Sequence, residues 1–314
     1  MGLATGLTAL AGALGVFDGA EPAVRGYVTE QCAAVAARVD RFRGGGPRVE
    51  ALLVAADLMA VPVKGAVLAG VLGDEPVWPM PDTRPMSDLD LLVLPRHRAQ
   101  CGAVLTRSGW ALHASTPHED TFLLWGDGGV GRTDGESADH NGRVELHPGW
   151  TEHLHGYAAD GFDLERRAHR RPDGTWRLDD PSFVVHVIGH LASTVVRAEV
   201  RAVNVLDVWF LAARGIDWKA ADRVLHEVAP QLAGPGLWAA DRFLPGVVPP
   251  ELLQRELGRL GRGGDVLGAT PEAAVLRDPT QRTTAAWRAA FARTAGQRTA
   301  VGRQLARGAV GRLR

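Results

Sequence analysis

The sequence predicts an α+β protein in two parts. Short strands and helices alternate to about residue 150, and the remainder is helical. Three observations carry this. Short apolar strand-like runs recur in the first half, as in "LDLLVLP", "WALHAS", "DTFLLW" and "RVELH". Beyond Trp150 that signal fades, and apolar residues at helical spacing take over in "DPSFVVHVIGHLASTVV" and "VRAVNVLDVWFLAARG". The chain has 314 residues, 46% hydrophobic and 23% charged, which is enough for a sizeable core and for two domains.

In chain order, residues 1–46 open with "MGLATGLTALAGALGVFDGA", apolar and small. No Lys or Arg precedes Arg25, so the positive region of an export signal is missing, and a helical arm is expected instead. Residues 47–150 are expected to form the core domain. "PRVEALLVAADLMA" sets Val49, Leu52, Leu53, Ala56 and Met59 on one side of a helix. "VPVKG" is a short strand ending in a glycine turn, and "AVLAGVLG" a helix closed by Gly73. A Pro-rich connection, "DEPVWPMPDTRP", is irregular. A strand over 88–94 follows, then a helix in "RHRAQCGAVLTRSG" and three more strands, the last two joined by "GDGGVGRTDGESADHNG", expected as a long mobile hairpin loop. Residues 151–314 are expected to form a helical domain. Within it, "DWKAADRVLHEVA" starts at an Asp cap and "FLAARG" ends at a glycine cap.

A net charge of -1 gives no global reason to expect nucleic acid or an anionic membrane as partner. The charge is uneven, however: from Gln281 to the end there are eight arginines and no acid, with Trp287 and Phe291 at helical spacing among them, read as a docked or solvated basic helix. Cys32 and Cys101 alone make neither a disulfide framework nor a zinc cluster, and a reducing cytoplasm is the simplest compartment. Nothing approaches the roughly 20 unbroken apolar residues of a membrane span.

The chemistry concentrates in "RPMSDLDLLVLP". Alternation puts Asp88 and Asp90 on one face of the strand, about 7 Å apart at Cα. Carboxylates that close repel, and burial costs several kcal/mol per charge unless a cation is present; a hard divalent ion such as Mg²⁺ answers both problems. Alone, so short a pattern also fits a solvated strand end. Upstream, Lys64 and Gly65 sit between a strand and a helix, where glycine permits close backbone approach and a helix N-terminus attracts an anion. In "RVELHPGW", Glu145 supplies a third acid and His147 lies two residues on, within reach of a metal-bound water or a phosphate. Three acids on adjacent strands can hold two Mg²⁺ ions for in-line displacement at a triphosphate, and the third can serve as base. His186 and His190, four apart on a helix, lack the Glu of a zinc-protease motif and nearby cysteines.

The elements "VKGAVLAGVLG", "RPMSDLDLLVLP" and "RVELHPGW", with the helical "HVIGHLA" and "VNVLDVWFLAARGIDW", resemble the uncharacterised bacterial nucleotidyltransferases, a branch of the DNA polymerase β-like superfamily, over about residues 47 to 250. The resemblance implies a small mixed sheet flanked by helices, and transfer of an NMP, AMP foremost, from an NTP to a hydroxyl or phosphate of a small molecule or peptide, with release of pyrophosphate. It implies Asp88, Asp90 and Glu145 as metal ligands and Gly65 as the phosphate-turn glycine, with Lys64, Arg84, Ser87 and His147 around the nucleotide. Where the wider superfamily has Gly-Ser or Gly-Gly, this chain has Gly65-Ala66, and Lys64 and Arg84 are expected to compensate for the missing hydroxyl. The alternative is an inactive nucleotide-binding or partner-binding protein of the same fold. Asp90→Asn is expected to abolish turnover with little loss of stability, because it relieves repulsion between acids.

Overall fold

The computed structural model describes residues 2–72, 75–117, 119–125, 140–149, 162–197 and 200–261. Residues 126–139 of the expected loop over 126–142, the helix-closing Gly73 and the Arg-rich tail with Trp287 and Phe291 lie outside them, while the loop's last three residues, His140, Asn141 and Gly142, belong to a strand instead.

The chain opens with two packed helices, α1 (Gly2–Ala13) and α2 (Pro22–Ala55). The sequence "RGGGPR" favours a break near residue 46, yet α2 runs straight through Gly44, Gly45, Gly46 and Pro47. Packing on both sides outweighs local propensity. Val35, Val39 and Phe42 before the glycines, and Val49 and Leu53 after them, belong to one apolar core. Gly46 is so closely packed that a Cβ there would stand 3.1 Å from both Val71 and Leu72.

A five-stranded mixed sheet follows in the order β1-β2-β5-β4-β3. β1 (Ala60–Pro62) runs antiparallel to β2 (Leu89–Val93), and β2 runs parallel to β5 (His140–Pro148). β4 (Asp120–Trp125) is antiparallel to both β5 and β3 (Ala111–Ser115). Between β1 and β2 the helix α3 (Gly65–Leu68) is a single turn, shorter than the sequence implies. Between β2 and β3 lies α4 (Arg98–Arg107).

The period-2 alternation of the central strands sorts their side chains. Leu89, Leu91 and Val93 of β2, Val144 and Leu146 of β5, and Phe122 of β4 join Val49 and Leu53 of α2 and Cys101 and Leu105 of α4 in the core. The intervening residues, Asp90, Glu145, His147 and Thr121, therefore share the other face and are also buried.

The first compact unit also takes in Asp163–Asp179. Here, where no strand is legible in the sequence, α5 (Leu164–Arg167) leads into a hairpin of β6 (Ala168–Arg170) and β7 (Trp176–Leu178). Arg177 ties this hairpin to the core: its guanidinium donates to the buried Glu50 of α2 and, at 3.1 Å, to the Leu72 carbonyl.

The second unit runs from Asp180 in α6 (Asp180–Arg197), α7 (Ala202–Ala213), α8 (Trp218–Val228), α9 (Pro230–Phe243) and α10 (Pro250–Leu260). α6 packs against α7, α8 and α9. Its approach to α9 is close, since a Cβ on Gly236 would lie 2.8 Å from the Ile188 carbonyl oxygen. Asp217 caps α8 by accepting from the Ala220 N–H at 2.9 Å, and Gly215 turns the chain after α7 at φ +92°. Among the described residues no helix is long and apolar enough to cross a membrane.

The consecutive glycines of α2 have different surroundings: nothing lies within 4 Å of a Cβ built on Gly44, whereas Gly46 is enclosed. Gly44→Ala is expected to stabilise the chain by about 0.5–1 kcal/mol through helix propensity alone. Gly46→Ala should fall short of that gain, because Val71 and Leu72 must move aside. Thermal melts of the two variants beside wild type check the difference.

Candidate functional site

The site is built on the parallel pairing of β2 with β5. Their register sets Asp90 directly beside Glu145, and His147 follows Glu145 by two positions on the same face. The His147 Nε2 lies 2.9 Å from Asp90 Oδ1 and 3.5 Å from Glu145 Oε2. All three side chains are buried, at 3% exposure for Asp90, 6% for Glu145 and 3% for His147. Their ligand atoms lie within 4.8 Å of one another.

Two further cations reach the acids. Lys64, at the end of β1, donates from Nζ to Asp90 Oδ1 at 3.1 Å. Arg143, two residues before Glu145 on β5, donates from Nη2 to Glu145 Oε1. Asp88 stands one residue before β2, half-buried, and accepts from Ser87 Oγ at 2.7 Å. Among the described residues no ion pair reaches it.

The turn at Lys64–Gly65 is tightly built. Lys64 has φ +51° and ψ -124°, a conformation that L-residues seldom adopt and that the surrounding structure must hold in place. Gly65 has no room for a side chain: a Cβ would lie 2.5 Å from Arg84 Nη1 and 3.2 Å from Met86. The buried Arg84 thus lies against this turn, and its Nη1 also donates to the Pro85 carbonyl at 3.2 Å. With only one helical turn at α3, a dipole contributes little here, so the positive character of the turn comes from Lys64 and Arg84. Ala66 is fully buried.

The acids are unequal. Burial pushes the Asp88 carboxyl up to about 6, with repulsion from Asp90 and Glu145 adding to the rise. Burial also acts against the Asp90 charge, but Lys64 and the bond from His147 outweigh it and hold Asp90 well below the usual range. Glu145 is likewise lowered: burial opposes its charge, and His147 and Arg143 more than compensate. Burial disfavours the His147 imidazolium, yet its bonds to Asp90 and Glu145 raise its pKa to about 9. The expectation that Asp90→Asn would spare stability is therefore revised. Asp90 is well compensated, and its loss would leave Lys64 and His147 facing each other; Asp88 is the acid whose neutralisation relieves strain.

The family model for an uncharacterised nucleotidyltransferase matches residues 6–242. The chain belongs to this family. No curated protein and no solved structure matches it. In general terms, membership in this nucleotidyltransferase family assigns the chain to nucleotidyl transfer.

Of the residues singled out in the sequence of this nucleotidyltransferase family member, the fold brings together Lys64, Asp90, Glu145 and His147, with Asp88 and Ser87 beside them and Gly65 against Arg84. The sequence reading missed Arg143, although the alternation Arg143, Glu145, His147 along one strand face carries its signal. The same holds for Thr121, buried opposite Glu145 on β4. His186 and His190 gain no third ligand: the described residues hold one other cluster of three candidate ligands, Asp222, His226 and Glu256. That cluster is already laced by arginines, with Arg255 2.6 Å from Asp222 and 2.9 Å from Glu256, and Arg259 2.9 Å from Glu256.

The raised pKa of Asp88 has a sign that can be measured. Its folded value of about 6 exceeds the ordinary 3.8, so the folded chain holds this proton more tightly than the unfolded chain does. The resulting stabilisation is complete below about pH 4 and is lost as pH rises to about 6. In metal-free buffer, Asp88→Asn should melt above wild type at pH 7.5, and the gap should close towards pH 4. A melt of the variant at or below wild type at pH 7.5 would contradict the electrostatics described.

Proposed function

We propose that the chain is a divalent-cation-dependent nucleotidyltransferase that transfers an NMP, AMP in the first instance, from an NTP to a hydroxyl or phosphate of a small molecule or peptide. The observation that carries this is the register pairing of Asp90 with Glu145, with Asp88 immediately before the same strand. Like charges this close and this buried fit a site for a multiply charged cation. Asp88, Asp90 and Glu145 would hold the ion or ions, expected from the sequence to be Mg²⁺, which when bound would neutralise the acids and polarise the phosphoryl oxygens.

The chain's own residues then have separable tasks. Lys64 and Arg84, converging on the Gly65 turn, meet the charge of the β- and γ-phosphates. The acceptor oxygen forms a bond to the α-phosphorus, a hydroxyl acceptor giving up its proton to water, the bond from that phosphorus to the bridging oxygen breaks, and pyrophosphate leaves. Glu145, held below the usual carboxylate range, suits a group that stays charged better than one that takes the acceptor's proton. A superfamily kinship with DNA polymerase β-like enzymes is consistent with this arrangement.

A second reading, an inactive binder of the same fold, draws support from the internal cations already on Asp90 and Glu145, and from Ala66 in place of a hydroxyl. The two readings part experimentally. With α-labelled NTP, a divalent cation and a metabolite extract as acceptor source, the wild type should yield a labelled adduct and pyrophosphate, and Glu145→Gln should lower the rate about a hundredfold or more. Tight NTP binding that is metal-independent and unchanged in Asp88→Ala would favour the binder instead. Gly65→Ala, which must displace Arg84, should raise KM for the NTP by roughly tenfold while changing kcat less.

A further inference from the structure

We propose that the cation of this site is Mn²⁺ rather than Mg²⁺, with His147 Nε2 as one of its ligands alongside Asp90 and Glu145. The inference rests on the cation-dependent reading above and deepens it.

Three observations lead to it. First, the imidazole is not beside the acids but between them: Nε2 is 2.9 Å from Asp90 Oδ1 and 3.5 Å from Glu145 Oε2. An ion drawn to both carboxylates meets this nitrogen, and takes it as a ligand by displacing its proton to solvent. Second, all three groups stand on adjacent central strands in fixed register, so the nitrogen is built into the site by the ladder itself and not by a loop that can turn away. Third, the three side chains are each less than a tenth exposed, which restricts the number of waters that can complete a shell.

Mg²⁺ demands near-ideal octahedral oxygen coordination and gives up its waters reluctantly. Imidazole nitrogen suits later and softer divalent ions, while carboxylates suit Mn²⁺ as well as Mg²⁺, so a mixed set of two carboxylates and one imidazole favours Mn²⁺ over Mg²⁺. Lys64 takes part too: its Nζ donates to Asp90 Oδ1 at 3.1 Å, so an ion that takes over Asp90 must displace this ammonium.

The alternative role for His147 is a protonated counter-ion that merely separates two acids, and the two roles predict opposite effects. The full chain is titrated with Mn²⁺, free ion being counted by electron paramagnetic resonance, and Mg²⁺ is then added as competitor; inorganic pyrophosphate stands in for the triphosphate so that no nucleobase nitrogen is present. Wild type should prefer Mn²⁺, and bound Mn²⁺ should show hyperfine coupling to a ¹⁴N nucleus. His147→Gln should weaken Mn²⁺ at least tenfold, change Mg²⁺ little and abolish the coupling. Tighter binding of both ions in the variant, or bound Mn²⁺ without nitrogen coupling in wild type, would overturn the proposal and leave the nucleotidyltransferase reading standing. Binding of neither ion at millimolar concentration would overturn both. If His147→Gln does not fold, the wild-type coupling decides alone.

Discussion

The structure depends on how two carboxylates come to be buried side by side. Parallel pairing of β2 and β5 sets Asp90 beside Glu145 in the middle of a sheet, where desolvation and repulsion both oppose ionisation. The fold answers with cations drawn from separate places: Lys64 from the end of β1, and Arg143 and His147 from either side of Glu145 on β5 itself. The site's integrity is thus tied to the strand order, since β1 must lie against β2 for Lys64 to reach Asp90.

Behind this face the same strands are anchored by ordinary apolar packing. Leu89, Leu91 and Val93 alternate with the polar residues and bury against α2 and α4. The long α2 is held in turn by Arg177, which brings the β6–β7 hairpin onto Glu50 and the Leu72 carbonyl. Removing one partner from such a pair leaves a buried charge uncompensated, at a cost of about 3–5 kcal/mol. The hairpin therefore belongs to the support of the core, even though it follows the sheet by some distance in sequence.

What could be read from the sequence divides along physical lines. Period-2 alternation is local, so the face shared by Asp90, Glu145 and His147 was legible, and so were the cap at Asp217 and the glycine after α7. Features set by distant contacts were not. The passage of α2 through three glycines and a proline depends on Val71, Leu72 and the core on either side, against the local signal. The partner of Glu50 lies 127 residues away in a strand of three residues, too short to show a period. The strained Lys64 was invisible because a lysine gives no hint of positive φ.

The two clusters of candidate ligands show why one reads as a cation site and the other does not. In Asp222, His226 and Glu256 each acid has a guanidinium within ion-pair distance, and the long Arg255 and Arg259 side chains satisfy them from the surface. In that network each acid already has its counter-charge. Around Asp90 the compensation is uneven: Lys64, Arg143 and His147 serve Asp90 and Glu145, while Asp88 has a serine and the repulsion of its neighbours, and its pKa climbs to about 6. Two buried acids on central strands, with a half-buried third that no ion pair reaches among the described residues, are electrostatically unfinished. On the proposed reading a doubly charged ion would complete the group, and that asymmetry, more than the number of acids, separates a candidate cation site from an ion-pair network that only stabilises a fold.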